Sequence, residues 1–244
     1  MQSEIFVLGD GIGSVSLEDF SGGDDAVVRA ARVSYGKTST DAERDQKLIE
    51  YMLKNKHGSP FEHNLFTFRI KAPILVFRQW HRTRIGVSYN EVSARYTEMK
   101  ESFYIPKTYR AQDAKNKQGS VAADLDHVEA ERIIRENSQN SYRRYEQLIQ
   151  IGVAREMARM VLPVNLYSEM YFTCNARSLM AFITLRSEAH AQWETRQYSH
   201  AMAYFLLRKM PLTWKAFAND LMNNEKYQEM WSVLKSTEMT ELPA

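Results

Sequence analysis

Residues 57–84 read HGSPFEHNLFTFRIKAPILVFRQWHRTR, and this stretch predicts a strand followed directly by a helix. Large apolar side chains recur at every second position from Phe66 to Ile70, which is the period of a strand with one buried face. The dipeptide Ala72-Pro73 ends the strand pattern, and a proline suits the first turn of a helix. The apolar run that follows continues this helix through Arg84.

A second helix is predicted before this strand. Thr40 and Glu43 have the spacing of a capping box, which marks a helix start. Four apolar residues then form a helical stripe: Leu48, Ile49, Met52 and Leu53. Nearer the N-terminus, EIFVLGDG (residues 4–11) predicts a short strand and turn. A helix over residues 25–33 brings Ser34 to its C-terminal end.

The second half of the chain is mostly helical. A long amphipathic helix is predicted over residues 125–152, and a shorter one over residues 154–161. NLYSEMYFTC (residues 165–174) has the composition of a strand, and residues 176–210 predict helix with a break near Ser187.

These elements indicate an α+β fold, because long helices frame a few strands without regular alternation of the two. We expect long helices packed around a small, mainly antiparallel sheet. Because there is no repeat or linker-like segment, the sequence predicts a single domain over residues 1–244. Residues 111–122 (AQDAKNKQGSVA) predict a polar surface excursion.

Composition narrows the function classes. The chain is 44% hydrophobic with a net charge of only +2, so its overall balance indicates neither a nucleic-acid nor a membrane partner. The single cysteine, Cys174, excludes an intrachain disulfide and is interpreted as a small buried hydrophobe. No stretch approaches the roughly 20 apolar residues of a membrane span, and the N-terminus lacks the pattern of a secretory signal. We therefore expect a cytoplasmic protein.

The densest polar cluster is RQWHRTRIGVSYNEVSARY (residues 78–96), which contains four arginines. On the predicted helix Arg78 and Arg82 are one turn apart, so they could clamp a phosphate with bidentate hydrogen bonds. The alternative is a solvated charged face. Interleaved apolar and aromatic residues favour partial burial, which requires the charges to be paired: Trp80, Ile85, Val87, Val92 and Tyr96.

Three further groups carry polar side chains. In residues 175–197 the i,i+4 spacing of Arg186 and His190 predicts that a helical face presents both, with a structural role for the histidine an equal alternative. Arg155 and Arg159 repeat the helical pairing. His57 and His63, with Glu62 between them, do not have a known metal-ligand spacing, so no metal site is predicted.

With these segments in family order, the chain resembles the flavin-dependent thymidylate synthases over nearly its whole length. The matching segments are AARVSY, HGSPFEHNLFTF, IKAPILVFRQW, the arginine-rich cluster of residues 78–96 (the arginine motif), FYIP, VLPVNLY, NARSLMAF and LRSEAHAQWE. The family signature is Arg-His-Arg, seven residues and a serine. Here Thr83 replaces the histidine, and one residue is inserted near Gly86-Val87 before Ser93. Ala181 stands where relatives often have asparagine.

The resemblance implies site residues one by one. It implies flavin contacts from Ser34, Ser59, Arg82, Thr83, Arg84, Asn90, Glu91, Asn175, Arg177 and His190. It implies nucleotide contacts from Gln79, Arg82, Glu91, Ser93, Arg95, Arg159 and Arg186. Arg186 is the candidate for stabilising charge on the pyrimidine. Ser93 is the other catalytic candidate, although no base adjoins it in the sequence, so we interpret it as a phosphate or nucleotide ligand.

The activity implied by the resemblance is the reductive methylation of dUMP to dTMP. Methylenetetrahydrofolate would donate the carbon, and NADPH would supply the reductant through FAD. Family members are homotetramers with shared active sites, which would let one chain carry two separate arginine sets.

Two alternatives remain open at the level of sequence. Thr83 and the insertion could have diverted catalysis, leaving a nucleotide- or flavin-binding oligomer. A nucleic-acid-binding module could use Trp80, Tyr89 and Tyr96 as stacking platforms, but the acidic residues nearly balance the basic ones.

Overall fold

A computed structural model describes residues 4–33, 36 and 41–236. The strands are β1 (Glu4–Phe6), β2 (Ser14–Ser21), β3 (Leu65–Pro73), β4 (Val87–Glu91), β5 (Arg110–Gln112), β6 (Ser120–Ala122) and β7 (Tyr167–Asn175). The helices are α1 (Asp24–Arg32), α2 (Ala42–Lys54), α3 (Ile74–Trp80), α4 (His127–Gln150), α5 (Arg155–Ala158), α6 (Ala176–Arg186), α7 (Trp193–Lys209), α8 (Pro211–Met222) and α9 (Gln228–Ser236).

The main sheet has the strand order β1-β2-β3-β7-β4, and every neighbouring pair is antiparallel. β5 and β6 form a separate hairpin within the segment predicted as a surface excursion. The predicted α+β class, with helices around a mainly antiparallel sheet, is confirmed.

The core centres on β3. Phe66, Phe68 and Ile70 are fully buried, as their alternation predicted. Phe68 lies opposite Phe172 of β7, and Phe205 of α7 packs over it with 5.8 Å between ring centroids. Burying each such side chain contributes roughly 1.5–3 kcal/mol, so this layer fixes the sheet against α7.

The helix predicted through Arg84 ends earlier, at Trp80. Trp80 is fully buried against Phe182, and the chain then turns, with Thr83 N donating to Trp80 O at 2.9 Å. The prediction that Arg78 and Arg82 share a helical face is therefore wrong, because Arg82 lies in the turn beyond the helix.

Other boundaries also differ from the predictions. The N-cap of α2 is Asp41, whose Oδ1 accepts a hydrogen bond from Glu43 N at 3.0 Å. Thr40, the predicted cap, and Ser34 lie outside the described residues. The sequence patterns did not indicate β2, β4, the β5–β6 hairpin, α8 or α9. No helix in the described parts of the chain is both long and apolar enough to span a membrane.

Candidate active site

The middle of the arginine motif lies on an edge strand. β4 pairs with β7 alone, and Gly86 leads into it with a φ of +67°. A side chain at position 86 would collide with Ser178 of α6, so the turn requires glycine. Along β4, Tyr89 and Glu91 are half-buried and Asn90 on the opposite face is exposed.

A groove of about 670 Å³ lies between this turn and the start of α6. We call it the arginine groove. Five residues expected to contact flavin line it: Arg82, Thr83, Arg84, Asn175 and Arg177. Ala181 and Leu185 add apolar wall. Within the described residues Arg177 pairs with Glu62, whereas Arg82 and Arg84 form no ion pair with a carboxylate. The groove thus presents uncompensated positive charge.

The donor set of the arginine groove fits a phosphate-bearing cofactor. Asn175 caps α6, with its Oδ1 accepting from Ser178 N at 2.8 Å, so the positive end of the helix dipole faces this region. Thr83 Oγ1 is buried without a hydrogen-bond partner. Guanidiniums, a helix N-terminus and a free hydroxyl are together suited to anionic oxygens.

A second cavity, of about 350 Å³, holds part of the expected nucleotide-binding set. We call it the Ser93 pocket. Glu91, Ser93 and Arg159 line it, together with Ser168 of β7. Ser168 Oγ donates to Glu91 Oε1 at 2.7 Å. In the described chain Ser93 Oγ accepts a hydrogen bond from Arg95 N, and no hydrogen bond joins it to a general base. This geometry favours a ligand role for Ser93 over a nucleophile.

Arg186 lies at the end of α6, half-buried. One of its terminal nitrogens donates to Gln79 O at 2.7 Å, while its Nε is buried and has no hydrogen-bond partner among the described residues. Burial lowers the pKa of this guanidinium, and the positive charge of Arg82 lowers it further. Burial therefore destabilises the charged form of Arg186, and an anionic ligand beside it would stabilise that form.

The expected helical pairing of Arg186 with His190 is wrong. α6 ends at Arg186, and the chain then turns at Ser187, whose buried hydroxyl lies 2.8 Å from that of Ser199. His190 is exposed in the following loop, where Nδ1 lies 2.9 Å from Asn116 Nδ2 of the β5–β6 hairpin. It does not line the arginine groove.

Other expected site residues lie outside both cavities within one chain. Arg95 is exposed and pairs with Glu156 at 3.4 Å. Ser59 is exposed at the start of a short 3-10 turn that packs on Arg177 through Gly58. Asn90 projects from the open face of β4, so these residues would need a ligand or another subunit to join the site.

Two titratable side chains, Tyr89 of β4 and Cys174 of β7, have raised pKa values, which favour their neutral forms. Burial, followed by the nearby Cys174, raises the pKa of Tyr89 to about 12. Burial also raises the pKa of the Cys174 thiol, which is 1% exposed, so the prediction that this cysteine is buried is confirmed. Among the described residues no cluster of three or more histidine, cysteine or acidic side chains is placed to hold a metal ion.

The sequence did not assign Ser168, Ser178 or Glu62 to either cavity. The helix-capping signal is Asn175, whose Oδ1 accepts from the backbone N–H at position 178, and this signal does not identify the Ser178 side chain. Ser168 faces Glu91 only because β4 and β7 pair across 77 residues of sequence. Nothing local predicts that contact.

Comparison with known proteins gives a consistent match. The family model described as "Thymidylate synthase complementing protein" matches residues 16–212. The "Flavin-dependent thymidylate synthase" of Thermosipho africanus is 48% identical over 207 residues, which cover 84% of this chain and 90% of that protein. The protein of the same name from Thermus thermophilus is 47% identical over 210 residues, covering 86% of this chain and 77% of that protein.

A solved structure is also similar. The UMP/dUMP methylase PolB from Streptomyces cacaoi, bound with 5-Br dUMP, superposes with a TM-score of 0.80 at 36% identity, covering 88% of this chain and 97% of that one. Sequence and fold agree, and the chain belongs to the family of flavin-dependent thymidylate synthases.

Proposed function

We propose that this chain is a methyltransferase that converts dUMP to dTMP, with FAD as bound cofactor. The proposal includes methylenetetrahydrofolate as carbon donor and NADPH as reductant. The observation that carries it is the arginine groove, where Arg82 and Arg84 have no carboxylate partner among the described residues and Arg82 acts on the half-buried Arg186. Family membership and the dUMP analogue bound to the Streptomyces cacaoi methylase support the choice of ligands.

The arginine groove would hold the flavin cofactor. Arg82, Arg84 and Arg177 would bind its phosphates, and Thr83 Oγ1 and Asn175 would supply hydrogen bonds. Bound flavin would supply the reducing equivalent that the amino acids lack. Ser34, Ser59, Asn90 and His190 remain proposed flavin contacts.

The nucleotide would draw on the Ser93 pocket and on Arg186. Ser93 and Arg159 are suited to phosphate oxygens, and Glu91 accepts hydrogen bonds from donors. Arg186 would stabilise negative charge that develops on the pyrimidine carbonyls, where a preorganised, half-buried cation is most effective. Gln79 and Arg95 complete the proposed nucleotide set.

We propose a homotetramer with active sites assembled from several subunits. Four apolar residues near Arg155 and Arg159 are each more than half exposed: Ile151, Met157, Met160 and Val164. A clustered apolar surface of this kind is typical of a subunit interface. Such an interface beside Arg159 would let a neighbouring chain complete the Ser93 pocket.

Anaerobic steady-state turnover tests the proposed activity. We expect dTMP when dUMP, methylenetetrahydrofolate, NADPH and FAD are all supplied, and none when any one is omitted from cofactor-stripped protein. Formation of dTMP without added NADPH or without the folate would contradict that component of the proposal. Absence of dTMP from the complete mixture would contradict the whole.

A further inference from the structure

The two carboxylate oxygens of Glu91 face different partners. Oε1 accepts the 2.7 Å hydrogen bond from Ser168 Oγ, and Oε2 lies 3.8 Å from His81 Nε2. Glu91 ends β4 and lines the Ser93 pocket. The carboxylate thus accepts one hydrogen bond from β7 and has the ring nitrogen of His81, in the turn after α3, at ion-pair distance.

The ring of His81 is held by its neighbours. It stacks on Phe77 with 6.1 Å between ring centroids and an interplanar angle of 27°, and it meets the edge of Tyr89 at 5.1 Å. Its backbone N–H donates to Phe77 O at 2.9 Å and so fixes the residue at the end of α3. These contacts keep Nε2 directed at Glu91.

The His81–Glu91 pair contributes little to stability. The side chains are 41% and 30% exposed, and ion pairs at such exposure are typically worth at most about 1 kcal/mol. Its effect is on orientation. A carboxylate has about four acceptor sites. With Ser168 bonded to Oε1 and His81 beside Oε2, the carboxylate keeps acceptor sites for the donor groups of a nucleotide in the Ser93 pocket.

We propose that His81 is a positioning residue that holds Glu91 in the orientation in which it accepts hydrogen bonds from the bound nucleotide. The inference rests on the proposed function, because it takes dUMP as the ligand of the Ser93 pocket. Neither His81 nor Ser168 needs to touch the nucleotide. Glu91 makes the contact, and its two neighbours set its geometry.

A double-mutant cycle on dUMP affinity tests this inference, with calorimetry on the FAD-loaded enzyme. We expect His81→Phe to weaken dUMP binding about fivefold, the upper end of what an exposed ion pair contributes. Glu91→Gln should weaken it more, and the double variant should match Glu91→Gln within about twofold, because coupled residues are not additive. His81→Gln retains a donor and should recover most of the affinity. His127→Phe, on α4, is the matched control and should bind as wild type does.

The outcomes separate the two claims. Additive losses, an unaffected His81→Phe or an unaffected Glu91→Gln would overturn the positioning role while leaving the proposed function in place. Equal losses of FAD content and melting temperature in His81→Phe and His81→Gln would indicate a purely structural role and overturn it as well. Failure of the wild-type enzyme to bind dUMP would overturn the proposed function, and this inference with it.

Discussion

Arg82 and Arg186 lie close enough for the charge of one to disfavour the charge of the other. Burial is the larger reason that the pKa of Arg186 is lowered, and Arg82 adds to it. Two like charges placed together without a carboxylate between them destabilise the folded protein and favour the binding of an anion. This pair connects the arginine groove to the end of α6.

Arg186→Lys is expected to reduce kcat by about 100-fold or more, as removal of a preorganised charge-stabilising donor does in other enzymes. FAD content should stay near that of wild type, because Arg186 does not line the arginine groove. Arg208→Lys, at the exposed end of α7, is the matched control. A kcat within threefold of wild type would remove Arg186 from the chemistry.

Arg95→Ala is expected to weaken dUMP binding about tenfold, the loss of one charge-assisted hydrogen bond to phosphate. Among the residues that the structure describes, Arg95 forms its ion pair with exposed Glu156, so the effect depends on the assembled site. Glu156→Gln removes that partner while leaving Arg95 in place, and it should not weaken binding. Unchanged affinity of Arg95→Ala by calorimetry would exclude Arg95 from the site.

Thr83→His is expected to tighten FAD retention, because an aromatic ring would then line the arginine groove, where the family signature has histidine. The measurement is the ratio of FAD to protein after gel filtration. Thr83→Ser keeps the buried hydroxyl and should retain FAD as wild type does. Equal or poorer occupancy in Thr83→His would show that this chain does not use a ring at position 83.

His200→Leu is expected to make the protein more resistant to mild acid. His200 is 1% exposed, and neither ring nitrogen has a hydrogen-bond partner in the described part of the chain. Burial, and then the charge of Arg196, lowers its pKa to about 3. The unfolded chain regains a pKa near 6.5, so unfolding takes up a proton between these values. The stability from neutral His200 is full above pH 6.5 and falls toward pH 3, by up to about 1.4 kcal/mol per pH unit.

Melting temperatures of wild type and His200→Leu, measured from about pH 7 down to about pH 4.5, test this difference. The variant should lose less stability on acidification, whereas His63→Leu, at an exposed position, should follow wild type. Parallel profiles for wild type and His200→Leu would show that His200 does not control acid stability.

The elements that sequence predicted well are those with local periodic signals. The strand around Phe68 and the long helix ending near Gln150 show their buried faces within their own residues. The turn after Trp80 was not predicted, because the pattern of nearby residues continues past it, whereas Trp80 packs on Phe182, which is distant in the sequence. α8 could have been predicted, since Pro211 stands in its first turn.

The candidate site shows the same division. Arg82, Thr83 and Arg84 are contiguous, so one motif brought them together, and Asn175 and Arg177 joined them through the family resemblance. The contact of Glu91 with Ser168 depends on strand pairing, and that of Glu91 with His81 depends on where α3 ends. Such contacts require the tertiary structure.

Single-turnover oxidation of the reduced enzyme tests the central claim most directly. Protein with NADPH-reduced FAD is mixed anaerobically with dUMP and methylenetetrahydrofolate, and flavin absorbance and dTMP are followed together. If the arginines hold dUMP against the flavin, flavin reoxidation and dTMP will appear in equal amounts, and both will be lost in Arg82→Ala. Reoxidation without dTMP, or an Arg82→Ala variant that behaves as wild type does, would contradict the account.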